Sequence, residues 1–265
     1  MTTIVALHAH PDDETIIQAG TLARAVDQGH RVVIVYATRG ELGEVPDGML
    51  EPGEALVERR TAEAEASAAA LGTARIVWLD YGDSGMAGLP ANDDPACFWQ
   101  ADVEQAAARV AAVLREEGAD VLLSYDEQGN YGHPDHVQVH RVGERAAALA
   151  GTPHLLEATI SRDHIKGLIA QMRATGVEPS EDWPDLDDAE ILLGMPDARI
   201  TTRIDVTPWL ARKRAAMAAH ATQVGDLGPF LAMDDDTYRA AMGTEFFIRR
   251  GAPDGHRDGD LLPAA

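Results

Sequence analysis

The chain has 265 residues, of which 45% are hydrophobic and 25% are charged. This length allows a sizeable core in one large domain or two small ones, and the composition is ordinary for a globular protein. The 44 acidic and 22 basic residues give a formal net charge of -22. Such a charge repels nucleic acid and anionic membrane surfaces, so we exclude both as primary partners.

Cysteine content and hydropathy further limit the kinds of site and the cellular location that we expect. The one cysteine, Cys97, excludes an internal disulfide and a cysteine-rich metal site, and its apolar neighbours in "PACFWQ" predict an inert buried thiol. No apolar run approaches the roughly 18 residues of a membrane span. No basic region followed by an apolar stretch begins the sequence, so we expect a cytoplasmic protein.

Apolar runs alternate with segments of helical periodicity through residues 1–160. The runs predict strands at residues 2–9, 30–38, 74–81, 119–126 and 153–160. The segments between them predict helices at residues 13–29, 55–72 and 102–118, and a loop running into a helix at 133–151. Strands that are apolar throughout and alternate with helices indicate a parallel sheet covered on both faces. We therefore predict a Rossmann-like α/β fold, a mostly parallel sheet of strand order 3-2-1-4-5 with helices on both faces.

The pattern is less regular after residue 160. Residues 207–223 predict a helix with a proline near its start, and residues 244–250 predict a short strand. We find no internal repeat and no low-complexity linker. The sequence is therefore interpreted as a single domain, 1–265, with a Rossmann-like core at 1–160, a C-terminal elaboration at 161–250 and a mobile tail at 251–265.

Two similar histidine–carboxylate clusters follow predicted strands. "HPDD" at residues 10–13 follows the first strand, and "HPDH" at residues 133–136 follows the fourth. In a sheet of order 3-2-1-4-5 the first and fourth strands are neighbours and flank the point where the winding direction changes, which is where ligands bind. We therefore expect the two clusters to face each other across one crevice.

The spacing within each cluster suits a metal site. Residues three apart on a turn lie on the same side, so His10 and Asp13 can bind one ion, with His133 and His136 pointing toward it. Imidazole and carboxylate ligands without thiolates suit zinc or another divalent transition metal, and two histidines with one carboxylate leave a position open for water. Spacing alone does not decide between His133 and His136, or between Asp12 and Asp13, as ligands.

The remaining members of the clusters predict a hydrolase. A carboxylate beside the metal can act as general base, and the extra histidine can protonate a leaving group or stabilise an oxyanion. Asp135 could fix the tautomer of that histidine. A metal-dependent phosphoesterase is one alternative, although it usually needs two metals about 3.5–4 Å apart. A nucleotide-binding module is another, but no G-x-G-x-x-G follows the first strand.

The paired motifs "AHPDDE" and "GHPDHVQVH" resemble the LmbE-like, or PIG-L, family of zinc-dependent N-deacetylases. The resemblance covers most of the chain and includes "TRGELGE", the Arg-x-x-Glu of Arg60 and Glu63, "DSGM" at 83–86 and "AHATQ" at 219–223. The last two motifs are similar to the actinobacterial mycothiol-pathway branch, which includes a deacetylase and an S-conjugate amidase.

The resemblance implies which residues bind the metal and which is the base. By it, His10, Asp13 and His136 bind zinc, with ferrous iron as the alternative. Asp12 is then the general base that activates water.

Further roles are also implied by the resemblance. His133 acts as general acid and stabilises the oxyanion, with Asp135 orienting it. Tyr131 contacts the oxyanion or moves with the substrate. Arg60 and Asp83 hold substrate hydroxyl or phosphate groups.

The predicted function is that of a metal-dependent hydrolase that cleaves an N-acyl amide, in particular an N-acetyl group, on an amino sugar or a related small conjugate. The alternatives are a phosphoesterase and an amidase acting on a thiol conjugate. The predicted partner is a small-molecule substrate, and a homo-oligomer is compatible with this prediction.

Five other residues are assigned from their positions in the sequence. His8 precedes the first motif on the strand and is predicted to be a buried, hydrogen-bonded histidine. Glu14 opens a helix, where its negative charge suits the helix dipole. His140 lies four residues after His136, where it supports the site or faces solvent. His220 and Gln223 share one predicted helix face and either line the cleft or cap the C-terminal elaboration.

Overall fold

The computed structural model describes residues 1–174, 176, 185–188, 191–253 and 256–262. Its strands are β1 (Thr3–His8), β2 (Arg31–Tyr36), β3 (Arg75–Trp78), β4 (Val121–Tyr125), β5 (His154–Thr159), β6 (Thr202–Asp205) and β7 (Thr244–Arg249). Its helices are α1 (Asp13–Ile17), α2 (Ala19–Asp27), α3 (Leu56–Leu71), α4 (Val103–Glu117), α5 (Gly129–Gly132), α6 (Pro134–Ala150), α7 (Arg162–Ala174), α8 (Leu210–Ala219), α9 (Val224–Leu231) and α10 (Asp235–Met242). Within these ranges, no helix has both the length and the apolar character needed to cross a membrane.

The described strands form a seven-stranded sheet of order β3-β2-β1-β4-β5-β7-β6. Strands β1 to β5 pair in parallel, which confirms the predicted order 3-2-1-4-5 and the Rossmann-like fold. The C-terminal elaboration adds β7 and β6 as antiparallel strands beside β5. Because β1 pairs with both β2 and β4, the carboxyl ends of β1 and β4 lie side by side at the switch point.

Helices cover both faces of the sheet, as predicted. Alternate residues of β1 enter different cores, since successive strand side chains point to opposite faces. Val5 and Leu7 pack with α4 and α6 on one face, whereas Ile4 and Ala6 pack with α2, α3 and α8 on the other. A strand buried on both faces explains why the sequence there is apolar without alternation.

The single helix predicted over residues 13–29 is wrong, because the structure contains two helices there. α1 ends at Ile17 and α2 begins at Ala19, with Gln18 between them at φ -138° and ψ -14°. The apolar spacing continues through this break, so local periodicity does not reveal it.

A buried ion pair from the C-terminal elaboration explains the break. Lys213 Nζ lies 2.6 Å from Glu245 Oε1 and donates to the Ile16 carbonyl at 2.8 Å. The Glu245 carboxylate accepts the backbone N–H groups of Gly20 at 2.9 Å and Thr21 at 2.8 Å. In a continuous helix the Gly20 N–H would donate to the Ile16 carbonyl. Both groups bond to the ion pair instead, and its carboxylate caps the new helix start.

The predicted helix over residues 207–223 is also shorter than expected. α8 ends at Ala219, His220 has φ -84° and ψ 59°, and a 3₁₀ turn follows over Ala221–Gln223. His220 and Gln223 therefore do not share a face of one continuous helix, and this part of the sequence-based prediction is wrong.

Part of the predicted mobile tail packs against the sheet. Leu261 is buried, and the Arg249 guanidinium donates from Nη2 to Asp258 and to the Leu261 carbonyl at 2.9 and 3.0 Å. Residues 254–255 and 263–265 of the predicted tail lie outside the described residues.

The buried ion pair generates a stability prediction. Lys213→Met should lower the free energy of unfolding by about 3–5 kcal/mol, because it leaves the Glu245 carboxylate buried without its cation. Urea denaturation measures the change. Arg239→Met is the matched control, since Arg239 pairs with Asp236 where both side chains are exposed, and its loss should have little effect. Equal destabilisation by the two substitutions would contradict this role for Lys213.

Candidate metal centre

The two histidine–carboxylate clusters meet at the carboxyl ends of β1 and β4. His10 and Asp13 lie just after β1, and His133 and His136 lie at the start of α6. The ring of His10 is 4.7 Å from that of His133 and 5.4 Å from that of His136, centroid to centroid. The structure thus brings together the residues that the sequence predicted would face each other across the switch point.

Three of these residues have the geometry of one metal site. The ligand atoms of His10, Asp13 and His136 lie within 4.8 Å of one another. Asp13 Oδ1 is 3.2 Å from His136 Nε2, and Asp13 Oδ2 is 3.6 Å from His10 Nδ1. Two ligands of a tetrahedral zinc at about 2.0–2.1 Å stand roughly 3.3–3.4 Å apart. The spacing and the nitrogen and oxygen donors therefore fit a zinc-like divalent cation.

The electrostatics of the cluster also favour a cation. Burial alone would raise the pKa of Asp13, but His136 and His10 hold that pKa well below its usual range. Burial likewise acts to lower the pKa of His10, but Asp13, Asp135 and Asp83 outweigh it and raise that pKa well above its usual value. The carboxylates thus stabilise positive charge at this point. A bound metal ion would supply that charge in place of a protonated histidine.

The second nitrogen of His10 is held by buried carboxylates. His10 Nε2 lies 3.2 Å from Asp135 Oδ2 and 3.5 Å from Asp83 Oδ1. Asp135 also accepts the Ser84 N–H at 2.9 Å and the Ser84 hydroxyl. Metal-binding histidines commonly donate their other N–H to a carboxylate, which fixes the ring orientation. Sequence reasoning missed Ser84, although it belongs to the "DSGM" motif.

Asp135 contacts His133 differently from the sequence-based interpretation. Its carboxylate bonds to Ser84 and His10, whereas its backbone N–H donates to His133 Nδ1 at 3.1 Å. Because Nδ1 accepts, the proton of a neutral His133 ring is on Nε2. Burial, reinforced by His10 and His136, lowers the pKa of His133 to about 3. The ring is therefore a neutral N–H donor beside the three candidate ligands.

Asp12 is separate from the three candidate ligands. Its side chain is 14% exposed, and Oδ2 lies 3.2 Å from Arg60 Nη2. Burial raises the pKa of Asp12 to about 6, against the opposing effect of Arg60. A carboxylate with such a pKa can exchange a proton near neutral pH.

The two predicted substrate contacts bond to the protein itself. Arg60 is buried and donates from Nη1 to the Gly40 carbonyl at 2.7 Å and from Nη2 to the Pro11 carbonyl. Asp83 is also buried and accepts the backbone N–H of Leu42 at 3.2 Å. Both residues therefore fix the loops around the centre, and direct contact with substrate stays a prediction.

Tyr131 stands at the edge of the centre. Its side chain is 43% exposed, and its hydroxyl lies 3.4 Å from His136 Nε2. The adjacent Asn130 has φ 64°, in the left-handed region. This position between the centre and solvent is compatible with the predicted contact to the reacting group, which stays a prediction.

The structure places the other singled-out residues around the centre. His8 is buried with Nδ1 2.8 Å from the Tyr125 hydroxyl, and burial lowers its pKa to about 4, so the predicted buried histidine is confirmed. His140 Nδ1 lies 3.1 Å from the Tyr125 carbonyl and 3.3 Å from Glu157 Oε1, away from the three candidate ligands. Cys97 is buried, as predicted.

Glu14 does not act mainly through the helix dipole. It lies in the first turn of α1, but its carboxylate is fully buried and bonds to Ser67, His220 and the Asp12 N–H. The structure therefore pairs Glu14 with His220. The sequence had left two interpretations of His220 open, that it lines the cleft or that it caps the C-terminal elaboration.

Known proteins resemble this chain over most of its length. The family model described as "PIG-L: GlcNAc-PI de-N-acetylase" matches residues 5–147. The 1D-myo-inositol 2-acetamido-2-deoxy-alpha-D-glucopyranoside deacetylase of Acidothermus cellulolyticus is 41% identical over 258 residues, covering 93% of this chain and 88% of that protein. The enzyme of the same name from Geodermatophilus obscurus is 38% identical, covering 96% and 95%.

The fold is also found in solved structures. N,N'-diacetylchitobiose deacetylase from Pyrococcus horikoshii superposes with a TM-score of 0.60 at 22% identity, covering 94% of this chain and 83% of that one. At 22% identity this likeness shows the fold alone. The class of enzyme is shown by the relatives that are 38% and 41% identical. Together the matches confirm the predicted family and the predicted class of enzyme, an N-deacetylase. The chain therefore belongs to the PIG-L family of de-N-acetylases.

Proposed function

We propose that this protein is a zinc-dependent deacetylase that removes the acetyl group from an N-acetylglucosaminyl inositol, the substrate named for its relatives. The observation that carries the proposal is the separation of Asp12 from the three candidate ligands. A carboxylate that is not one of the candidate ligands, here paired with Arg60, can serve as the general base that hydrolysis of an unactivated amide requires beside a divalent cation.

His10, Asp13 and His136 would hold the metal. When bound, zinc lowers the pKa of water and polarises the substrate carbonyl. Asp13 is suited to this position because its charge is stabilised by both histidines. Asp135 keeps His10 turned toward the ion, because it accepts from the opposite nitrogen of the ring.

Asp12 would take a proton from the attacking water, and His133 would stabilise the negative charge that develops on the carbonyl oxygen. Asp12 removes a proton from the attacking water, for which its pKa of about 6 is suitable. The Nε2–H of His133 donates to the carbonyl oxygen as its negative charge grows. When the C–N bond breaks, the amine nitrogen takes up a proton, and Asp12 holds the one removed from water. The neutral state of His133 supports its role toward the oxyanion more directly than its predicted role as general acid.

A two-metal phosphoesterase is less compatible with the site. The other group of metal-ligating side chains among the described residues is His10, Asp83, His133 and Asp135, and it shares His10 with the first group. Two ions bound through that histidine would take its opposite nitrogens, Nδ1 on the Asp13 side and Nε2 on the Asp135 side, and would stand farther apart than the about 3.5–4 Å of a two-metal site. The carboxylates of the second group also already accept hydrogen bonds from the protein.

Substrate preference tests the proposed function directly. Amine release by zinc-loaded protein should be fastest on the N-acetylglucosaminyl inositol, by at least about tenfold in kcat/KM, because differential contacts with the reacting molecule set specificity. N,N'-diacetylchitobiose, a thiol-conjugate amide and a sugar phosphate complete the panel. Preferred cleavage of the thiol conjugate would make the protein an amidase, and phosphate release without amine release would refute a deacetylase.

The roles of the two adjacent aspartates can be separated. Asp12→Asn should lower kcat by about 10²–10⁴-fold, the usual contribution of a general base, with one zinc per chain retained. Asp13→Asn should weaken zinc binding by more than about 100-fold. Loss of a residue that only hydrogen-bonds a metal ligand already costs about 10–100-fold in metal affinity. Steady-state kinetics and metal titration measure both effects. Zinc loss in the Asp12 variant with retention in the Asp13 variant would reverse the assignment.

Metal removal tests the dependence on zinc. Protein stripped with a chelator should lose activity, because the carbonyl and the water would no longer be polarised. Zinc added back at one equivalent should restore it, and ferrous iron added under anaerobic conditions tests the alternative metal. Full activity of the metal-free protein would exclude the metal-dependent mechanism.

A further inference from the structure

The backbone of Asp12 has a conformation that needs support. Its φ is 110° and its ψ is -32°, in a region that residues with a side chain rarely adopt. Such a conformation persists only when surrounding contacts hold it. The direction of the Asp12 carboxylate therefore depends on the groups that bond to its main chain.

Glu14 provides one of these contacts from a buried position. Its Oε2 accepts the Asp12 N–H at 3.0 Å. Its Oε1 accepts from the Ser67 hydroxyl at 2.6 Å and from His220 Nε2 at 2.7 Å. Glu14 and Ser67 are 0% exposed and His220 is 1% exposed. One oxygen of the Glu14 carboxylate thus accepts from His220 and Ser67, and the other oxygen accepts the Asp12 N–H.

The polar face of α3 fixes the same region. Arg60, Glu63 and Ser67 follow one another at spacings of three and four residues, so they lie on one side of the helix, and all three are buried. Arg60 bonds to the loop before Asp12. Glu63 accepts the Thr222 N–H at 2.9 Å and the Thr222 hydroxyl at 2.6 Å. The turn that carries His220 is therefore anchored to the same helix as the loop that carries Asp12.

We propose that His220 is a positioning residue for Asp12, acting through Glu14. Among the described residues, His220 Nδ1 has no hydrogen-bond partner, so the one polar contact of the ring is the bond from Nε2 to Glu14. This contact directs the buried Glu14 carboxylate at the Asp12 N–H. The inference rests on the proposed function, in which Asp12 is the general base.

Two substitutions at one position separate the hydrogen bond from the shape of the ring. His220→Phe keeps a ring but removes the donor, whereas His220→Gln keeps an N–H donor. We expect the phenylalanine variant to lose kcat by about 10²-fold, as a misplacement of about 1 Å does, with KM within about threefold and zinc content unchanged. The glutamine variant should recover at least about tenfold of that loss.

Thr222→Val is the matched control, because it removes only the hydroxyl bond to Glu63 and leaves in place both the Thr222 N–H bond that anchors the turn and the His220–Glu14 contact. Its kcat should stay within about threefold of the parent. If the phenylalanine variant does not fold, Ser67→Ala removes the other side-chain donor to the same oxygen and should lower kcat in the same sense. Unchanged kcat in both His220→Phe and Ser67→Ala, or equal losses in the phenylalanine, glutamine and Thr222→Val variants, would overturn the proposal.

Amide hydrogen exchange provides a readout that needs no substrate. The peptide covering residues 9–16 should exchange faster in His220→Phe than in the parent, the glutamine variant or Thr222→Val, because the Asp12 N–H loses its ordered acceptor. If the parent released no amine from any substrate, the proposed function would fail while this comparison still decided the positioning role. Equal exchange in all four proteins would overturn it.

Discussion

The crowding of buried and half-buried carboxylates at the switch point is the constraint on which the rest of the site depends. Asp13, Asp83 and Asp135 lie against His10 or His136, and Asp12, next to Asp13 in the chain, pairs with Arg60. Negative charges this close are stable only when positive charge or N–H donors compensate them. Asp13 receives this compensation from two histidines, Asp12 from a guanidinium, and Asp83 and Asp135 from backbone N–H groups. A divalent cation among the same groups would complete it.

The C-terminal elaboration forms part of the centre. Its strand β7 and helix α8 contribute the buried pair Lys213–Glu245, which divides the helix after the first motif. The turn after α8 contributes His220, which bonds to Glu14 within the motif. A Rossmann-like core by itself would hold the candidate ligands but would lack these supports. The conformation of the "AHPDDE" segment is therefore supported in part by His220, which lies 206 positions after Glu14 in the chain.

Much of the architecture was predictable because its signals are local. Each core strand is buried on both faces, so the apolar runs are unbroken, and each helix between them ends at a glycine or a loop. The sheet order then follows from general rules of parallel topology, and it brings two distant motifs together. The helix over residues 13–29 and the shared face of His220 and Gln223 were predicted wrongly because the interactions that interrupt those helices come from distant residues.

The sequence by itself determined the fold class and the family, and its two clusters limited the candidate ligands to His10, one of Asp12 and Asp13, and one of His133 and His136. Residue type and spacing within a turn reach this far once the strand order is known, and the resemblance to the family then selected His10, Asp13 and His136 as the predicted ligands. Only the tertiary structure decided that the Asp135 carboxylate bonds to His10 and Ser84 and that Glu14 bonds to His220. The physical reason is that a buried polar group bonds to whichever partner folding brings within about 3 Å, and neither periodicity nor motif spacing encodes that distance.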